Sequence, residues 1–428
     1  MKKIISAALV ASVAAGLATA EISVGLNYRR GTNVFSDANL SKSTATFMKF
    51  GDVTGTDAFT FKASNDYAGI TLNYNPTSAP SGDKNPAKNF WAGGNGVEYT
   101  AYVNPTSWLQ LKGGVHKDGI TYAEQVKKDT DDTNWSAAGK YAFLYKLGLT
   151  AADSTGIFLD DMTSINGAGA PFAFADFKFN GVGPGNLLVR ASLAGTYDGS
   201  GTTPYNWLKK GGYNDKTVYA APGLVVGYKI NDLVDVNVDV QMASNNDLAF
   251  GLYASPLGLL DGNLTGTLGF TMSTVLDGEK DAVGARVNNK DGVTFFGIDL
   301  RFRYVAGDFH IANAFNFTGA SEDKQVKQKQ TTASARTGNS NIWDSVFLTY
   351  KLTDNWTITG NVQLQAALGV GTGDETILDL AVTPGVMYTV GKGATITAGL
   401  YTTFNDLTDK LNSNSIGVAL PVIFRVKM

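Results

Sequence analysis

Every second residue of Val234-Asp235-Val236-Asn237-Val238-Asp239-Val240-Gln241-Met242 is apolar, and the residues between are polar. Side chains of a strand point alternately to opposite faces, so this pattern prescribes a strand with one apolar and one polar face. The same period runs through Trp356, Ile358, Val362, Leu364, Ala366, Leu368 and Val370, with Thr357, Thr359, Asn361, Gln363 and Gln365 between. It recurs in Phe296, Ile298, Leu300, Phe302 and Tyr304, against Gly297, Asp299, Arg301 and Arg303. Ile416, Val418, Leu420, Val422, Phe424, Val426 and Met428 close the chain in the same way. Alternation alone also fits a soluble sandwich with one wet face. Three further features favour a barrel that crosses a membrane.

The first is length: the segments run about 10 to 14 residues, longer than the usual five or six and suited to a tilted bilayer crossing. The second is the rhythm of connectors. Asn231-Asp232, Ala306-Gly307-Asp308, Thr353-Asp354-Asn355 and Gly391-Lys392-Gly393 read as tight turns, and between them lie long polar loops at 198–216, 273–292, 318–341 and 405–414. Short turns on one side and long loops on the other describe an outer-membrane barrel. The third is a Tyr just before each tight turn, on the apolar parity: Tyr145, Tyr228, Tyr304, Tyr350 and Tyr388. Phe309 and Trp356 open the strands that follow. Aromatic rings at one level form an interfacial girdle, apolar in body and wet at the tip.

Composition agrees. Charged residues are 17% of the chain, below the roughly 25% of soluble domains, while 49 Gly, 18 Tyr and 23 Phe suit strands and bends. Mean hydropathy near zero is too polar for a bundle of membrane helices, and no run of about 18 apolar residues follows residue 21. The absence of Cys excludes disulfides, thiolate metal sites, Cys nucleophiles and a lipidated N-terminal thiol.

Lys2 and Lys3, the apolar run Ile4–Leu17 and Ala18-Thr19-Ala20 read as an export signal cleaved between Ala20 and Glu21. The expected organisation is therefore a signal peptide at 1–20 and one barrel domain at 21–428. Cleavage removes two lysines and takes the net charge from −3 to −5, which argues against nucleic-acid binding. The Tyr marks, 83, 76, 46 and 38 residues apart, give about 40 residues per hairpin. That predicts an all-β, antiparallel, up-and-down transmembrane barrel of about 20 strands, within 16 to 22. The stretch 31–66 leaves the strand count open.

In these features the chain resembles bacterial outer-membrane porins. The strand Ile416–Met428 is similar to their assembly signal, but it ends in Met428 with its nearest aromatic at Phe424. That departure points to a divergent lineage, such as a spirochaete-type barrel. The resemblance implies a water-filled channel in the cell outer membrane, passing small hydrophilic solutes and ions passively, with outer-membrane lipid as its surroundings and without a cofactor. Porins often assemble as homotrimers, and the resemblance carries that expectation over. A second reading is a barrel-anchored adhesin, and a third is a barrel enzyme; the expectation is no enzyme.

The polar parity places Arg190, Asp235, Asp239, Asp299, Arg301, Arg303, Lys351 and Arg425 on the lumen face, where opposed charges tune ion passage. Arg301 and Arg303, with Asp299, make the densest charged row. Loops 75–95 (with Phe90 and Trp91) and 116–137 are candidates to narrow the lumen, and Trp91, Trp135 and Tyr205 to stack on sugars. Of the two histidines, His310 falls on the lumen parity and His116 opens a loop, and neither has a catalytic signature beside it. Asp129, Asp131, Asp132 and Asn134 miss the Gly and Glu that an EF-hand needs, so no metal site is expected; surface calcium binding stays open. Gly181-Val182-Gly183-Pro184-Gly185 has the composition of a turn.

Overall fold

A computed structural model describes residues 21–37, 40, 45–53, 57–74, 97–115, 171–195, 220–231, 233–242, 248–274, 294–320, 326–327, 337–338, 340–370, 375–409 and 415–428. Its first strands are β1 (Glu21–Asp37), β2 (Thr46–Val53), β3 (Asp57–Ser64), β4 (Ala68–Tyr74), β5 (Val97–Thr106), β6 (Leu109–Val115), β7 (Pro171–Val182) and β8 (Gly185–Gly195). There follow β9 (Ala220–Ile230), β10 (Val234–Met242), β11 (Leu248–Pro256), β12 (Leu264–Thr274), β13 (Thr294–Ala306), β14 (Phe309–Ala320), β15 (Val326–Lys327) and β16 (Thr337–Gly338). The last are β17 (Ser340–Lys351), β18 (Trp356–Val370), β19 (Glu375–Gly391), β20 (Ala394–Gly399), β21 (Tyr401–Phe404) and β22 (Ile416–Lys427). No described helix is long and apolar enough to cross a membrane.

Twenty of these segments form one antiparallel sheet; β15 and β16 pair apart from it. Apart from β2–β3 and β20–β21, each segment of the sheet pairs with the next along the chain, and β22 returns to pair with β1 from Asn27↔Lys427 to Asp37↔Val418. The ring is therefore closed. Two of its positions are each shared by two segments: β3 and β2 both lie along the same edge of β1, and β20 and β21 both lie between β19 and β22. The twenty segments thus occupy eighteen positions around the ring. The stretch 31–66 supplies the upper part of β1 and the second position.

Closure is what a strand fold needs in hydrocarbon, because an open edge would leave N–H and C=O groups without partners. The seam is completed by Leu26 and Met428, which exchange backbone hydrogen bonds of 2.9 and 2.8 Å. Tight turns connect the strands at one end, where Asn65 N–H donates to the Ala68 carbonyl, and at 183–184, 307–308 and 392–393.

The burial pattern is that of a soluble protein turned inside out. Along β18, Ile358 and Val362 are 47% and 44% exposed, while Thr359, Asn361, Gln363 and Gln365 are 0–4% exposed. Cross-strand partners share a face, so the outer parity passes from Leu300 to Leu268, and from Tyr350 to Ile358 to Val386. Exposed Leu224, Leu252, Phe270, Ile298, Ile396 and Phe424 all lie on it. A water-soluble fold buries such side chains, at about 25 cal/mol per Å²; this one offers them to lipid. Asn313 and Asp344 interrupt the outer face and satisfy each other, Asn313 Nδ2 donating to Asp344 Oδ1 at 2.6 Å.

The hairpin β7–β8 shows how one glycine sets the facing of a strand. Val182 pairs with Gly185, but from Phe179↔Leu187 onward the register is shifted by a bulge. Gly181, at φ +71°, lies in the bulge, and its N–H donates to Asn186 Oδ1 at 3.2 Å. A one-residue slip moves every side chain to the opposite face. The bulge lies on β7 and therefore places Phe174, Asp176 and Lys178 inward, Asp176 opposite Arg190 of the unbulged β8.

Substitution of these glycines separates conformational strain from crowding. A Cβ at Gly181 meets nothing within 4 Å, so Gly181→Ala carries only the left-handed backbone cost of about 1–2 kcal/mol. A Cβ at Gly185 would stand 2.4 Å from the Lys229 carbonyl oxygen, so Gly185→Ala forces β8 and β9 apart and loses about 1–3 kcal/mol. Gly360→Ala, with open space at its Cβ, stays within about 0.5 kcal/mol of the parent. Unfolding midpoints in urea, measured in lipid vesicles, check this order.

Candidate functional site

The inner wall is the candidate site. Its mid-level is lined by polar side chains at strand spacing, and they are held by one another. Asn361 Nδ2 donates to Ser345 Oγ at 2.9 Å and to the Val346 carbonyl at 3.0 Å. Thr60 Oγ1 donates to Asn73 Oδ1 at 2.9 Å. Toward the loop end, Asp379 Oδ1 accepts the N–H of Asp406 at 2.8 Å, and Leu407 N–H donates to the Leu378 carbonyl, tying segment 405–409 to the top of β19.

The strongest electrostatic contact on this wall joins β7 to β8. Arg190 Nε and Nη2 donate to Asp176 Oδ1 and Oδ2 at 2.6 and 2.8 Å, and the two side chains are 2% and 4% exposed. The guanidinium also lies 3.7 Å from the centroid of the Phe174 ring, with Lys112 Nζ 5.5 Å from the same centroid. A bidentate pair stacked on an aromatic face fixes the planar group in one orientation. Arg190 is thus not the freely solvated pore charge that its parity alone suggests: it is a buried, paired cation.

Asp235 is likewise 1% exposed, and Asn237 Nδ2 donates to its Oδ1 at 3.1 Å. Inward Phe347, Met387 and Ile423 are 2%, 2% and 1% exposed. The mid-level side chains of the inner wall are thus packed against one another rather than freely solvated.

Other expected lumen residues stand nearer the tight turns. Arg303 and Arg425 are half-buried on the inner parity, and Arg303 Nε has no hydrogen-bond partner among the described residues. Lys351 ends β17 and bonds Asp354 Oδ1 at 2.8 Å, which holds the Asp354 carboxyl below its usual range. Asp239, Asp299 and Arg301 occupy inward register positions, but their side chains lie outside the described set. His310 is inward as expected, and its buried Nδ1 has no hydrogen-bond partner among the described residues. His116, Asp129, Asp131, Asp132, Asn134, the loops 75–95 and 116–137, Trp91, Trp135 and Tyr205 lie outside the described residues. No group of three acidic or histidine side chains among the described residues could hold a metal ion.

On the outer face, Tyr228, Tyr304, Tyr350, Tyr388, Phe309 and Trp356 all fall at the tight-turn end; Tyr145 lies outside the described residues. Trp356 and Tyr388 are cross-strand partners with ring centroids 4.8 Å apart, and Tyr228 donates its hydroxyl to the Val182 carbonyl at 2.7 Å. The belt extends to residues that the Tyr-before-turn pattern misses. Trp108 stacks on Phe177 at 6.4 Å, and Tyr28 meets Phe424 edge-on at 6.4 Å. Asp176, Phe174 and Lys112 were also missed, since their convergence depends on the Gly181 bulge.

No protein-family model matches the chain, and no curated protein does. Solved structures do. OccK1 (OpdK) of Pseudomonas aeruginosa superposes with TM-score 0.52 at 10% identity, covering 96% of this chain and 99% of that one. A BenF-like porin from Pseudomonas fluorescens Pf-5 gives 0.49 at 11%, covering 95% and 99%. OccAB3 of Acinetobacter baumannii gives 0.49 at 10%, covering 96% and 100%. At such identities the likeness concerns the fold: this chain is a porin-like β-barrel.

Removing one partner of the buried pair leaves the other charge uncompensated. Asp176→Ala is expected to lower unfolding stability by about 3–5 kcal/mol, and the double variant Asp176→Leu with Arg190→Met to recover most of that loss. Urea unfolding of the three proteins in vesicles checks it.

Proposed function

We propose that this protein is an outer-membrane channel, passing small hydrophilic solutes and ions down their gradients through the polar interior of the ring. Export through a signal peptide cleaved between Ala20 and Glu21 belongs to the same reading, as does outer-membrane lipid around the apolar belt. One observation carries it: a closed ring whose exposed parity is apolar and whose inner parity is Thr, Asn, Gln, Asp and Arg. Polar groups on an inner wall have a use where hydrated solutes pass, and charges there act at close quarters on ions.

The buried mid-level favours a second reading as well. A tightly lined interior suits a barrel that anchors exposed loops, with adhesion rather than passage as its task. Planar-bilayer recording of the refolded mature chain separates the two. The channel reading predicts stable unitary steps whose size rises with bulk salt. Folded, vesicle-inserted protein that gives no steps would turn the assignment to the anchor.

A further inference from the structure

The inner wall near the tight turns carries cations on strands spread around the whole ring. Lys62 on β3, Lys178 on β7, Lys229 on β9, Arg303 on β13, Lys351 on β17 and Arg425 on β22 all lie on the inward parity. Each lies within the last five residues of its strand, and each of those strands runs toward the tight-turn end. All six are half-buried or exposed, in contrast with buried Arg190 at mid-level.

This ring does not follow from composition, because the chain has 35 basic and 38 acidic residues. Inward acids are few among the described side chains. Asp176 is held by Arg190, Asp235 is the register partner of Lys229, Asp379 stands at the loop end of β19, and Glu21, on the same face as Ser23 opposite Lys62, adds one carboxylate at the tight-turn end. Acids do occur on the turns, at Asp66, Asp261, Asp308 and Asp354, and Asp354 offsets Lys351. Those turn acids are exposed to bulk water, where salt screens charge over about 8 Å. Groups on the wall of a low-dielectric passage are screened less and focus their field along it.

We propose that the tight-turn mouth of the lumen is a cationic ring that makes the channel prefer small anions over cations. The inference rests on the channel reading above and deepens it. The ring draws anions to one mouth only, so ionic current is also expected to differ with the sign of the applied voltage.

The test is the reversal potential of the inserted protein across a KCl gradient, since K⁺ and Cl⁻ have nearly equal mobility in water. Chloride is expected to permeate about twofold or more better than potassium. The triple variant Lys62→Gln, Lys229→Gln, Arg303→Gln should keep conducting while that ratio falls toward unity and the rectification shrinks. Lys392→Gln, on a turn and off the wall, should leave the ratio unchanged. Conduction with a preference for potassium overturns the ring and leaves the channel standing. An unchanged ratio in the conducting triple variant, or an equal fall with Lys392→Gln, overturns it too. Folded protein that never conducts overturns both.

Discussion

Hydrocarbon offers no partner to a backbone N–H or C=O, and the rest of this structure follows from that fact. A strand fold can meet the demand only by closing, and closure here depends on the register between the first and last strands. Nine residues of β1, from Asn27 to Asp37 with one irregularity, find partners on β22, and Leu26 and Met428 finish the seam. Once the ring is closed, each side chain has only two directions available. Lipid selects apolar groups outside, which leaves the interior as the place for Asn, Gln, Thr and the charges.

Within that frame, small local devices decide what the interior holds. Gly181 accepts a left-handed backbone, the bulge shifts β7 by one residue, and Asp176 turns inward to meet Arg190. The resulting pair is dry and stacked on Phe174, so it braces the wall more than it addresses passing ions. Nearer the turns the wall is wetter, and its cations are half-buried or exposed. The wall thus has a middle held by packing and an end toward the turns that carries cations.

Much of the architecture was legible in the alternation. The pattern delimits β10 as Val234–Met242 and β18 as Trp356–Val370, which are their observed bounds. The girdle was legible too, because an aromatic before a turn has one purpose on a lipid-facing parity. The N-terminal region was not. There β2 and β3 share one position, the register shifts at Gly31/Thr32, and Met48 adopts φ +51°, so period two breaks within a single span. Inward Phe174, Phe347, Met387 and Ile423 also blur the alternation, since an apolar residue on the inner face reads like one on the outer. The Asp176–Arg190 pair was hidden for a different reason: a bulge alters which residues face each other without altering composition.

The absence of cysteine lets the central claim, an apolar face toward lipid and a polar face inward, be tested residue by residue along β18. Single cysteines placed in turn from Thr357 to Gln365, labelled with a fluorophore in reconstituted vesicles, would be exposed to a lipid-borne quencher and to aqueous iodide. The account predicts strict alternation, with lipid quenching strongest at Ile358, Val362 and Leu364 and weakest at Thr359, Asn361, Gln363 and Gln365. Quenching without a two-residue period, or lipid quenching greatest at the polar positions, would contradict it.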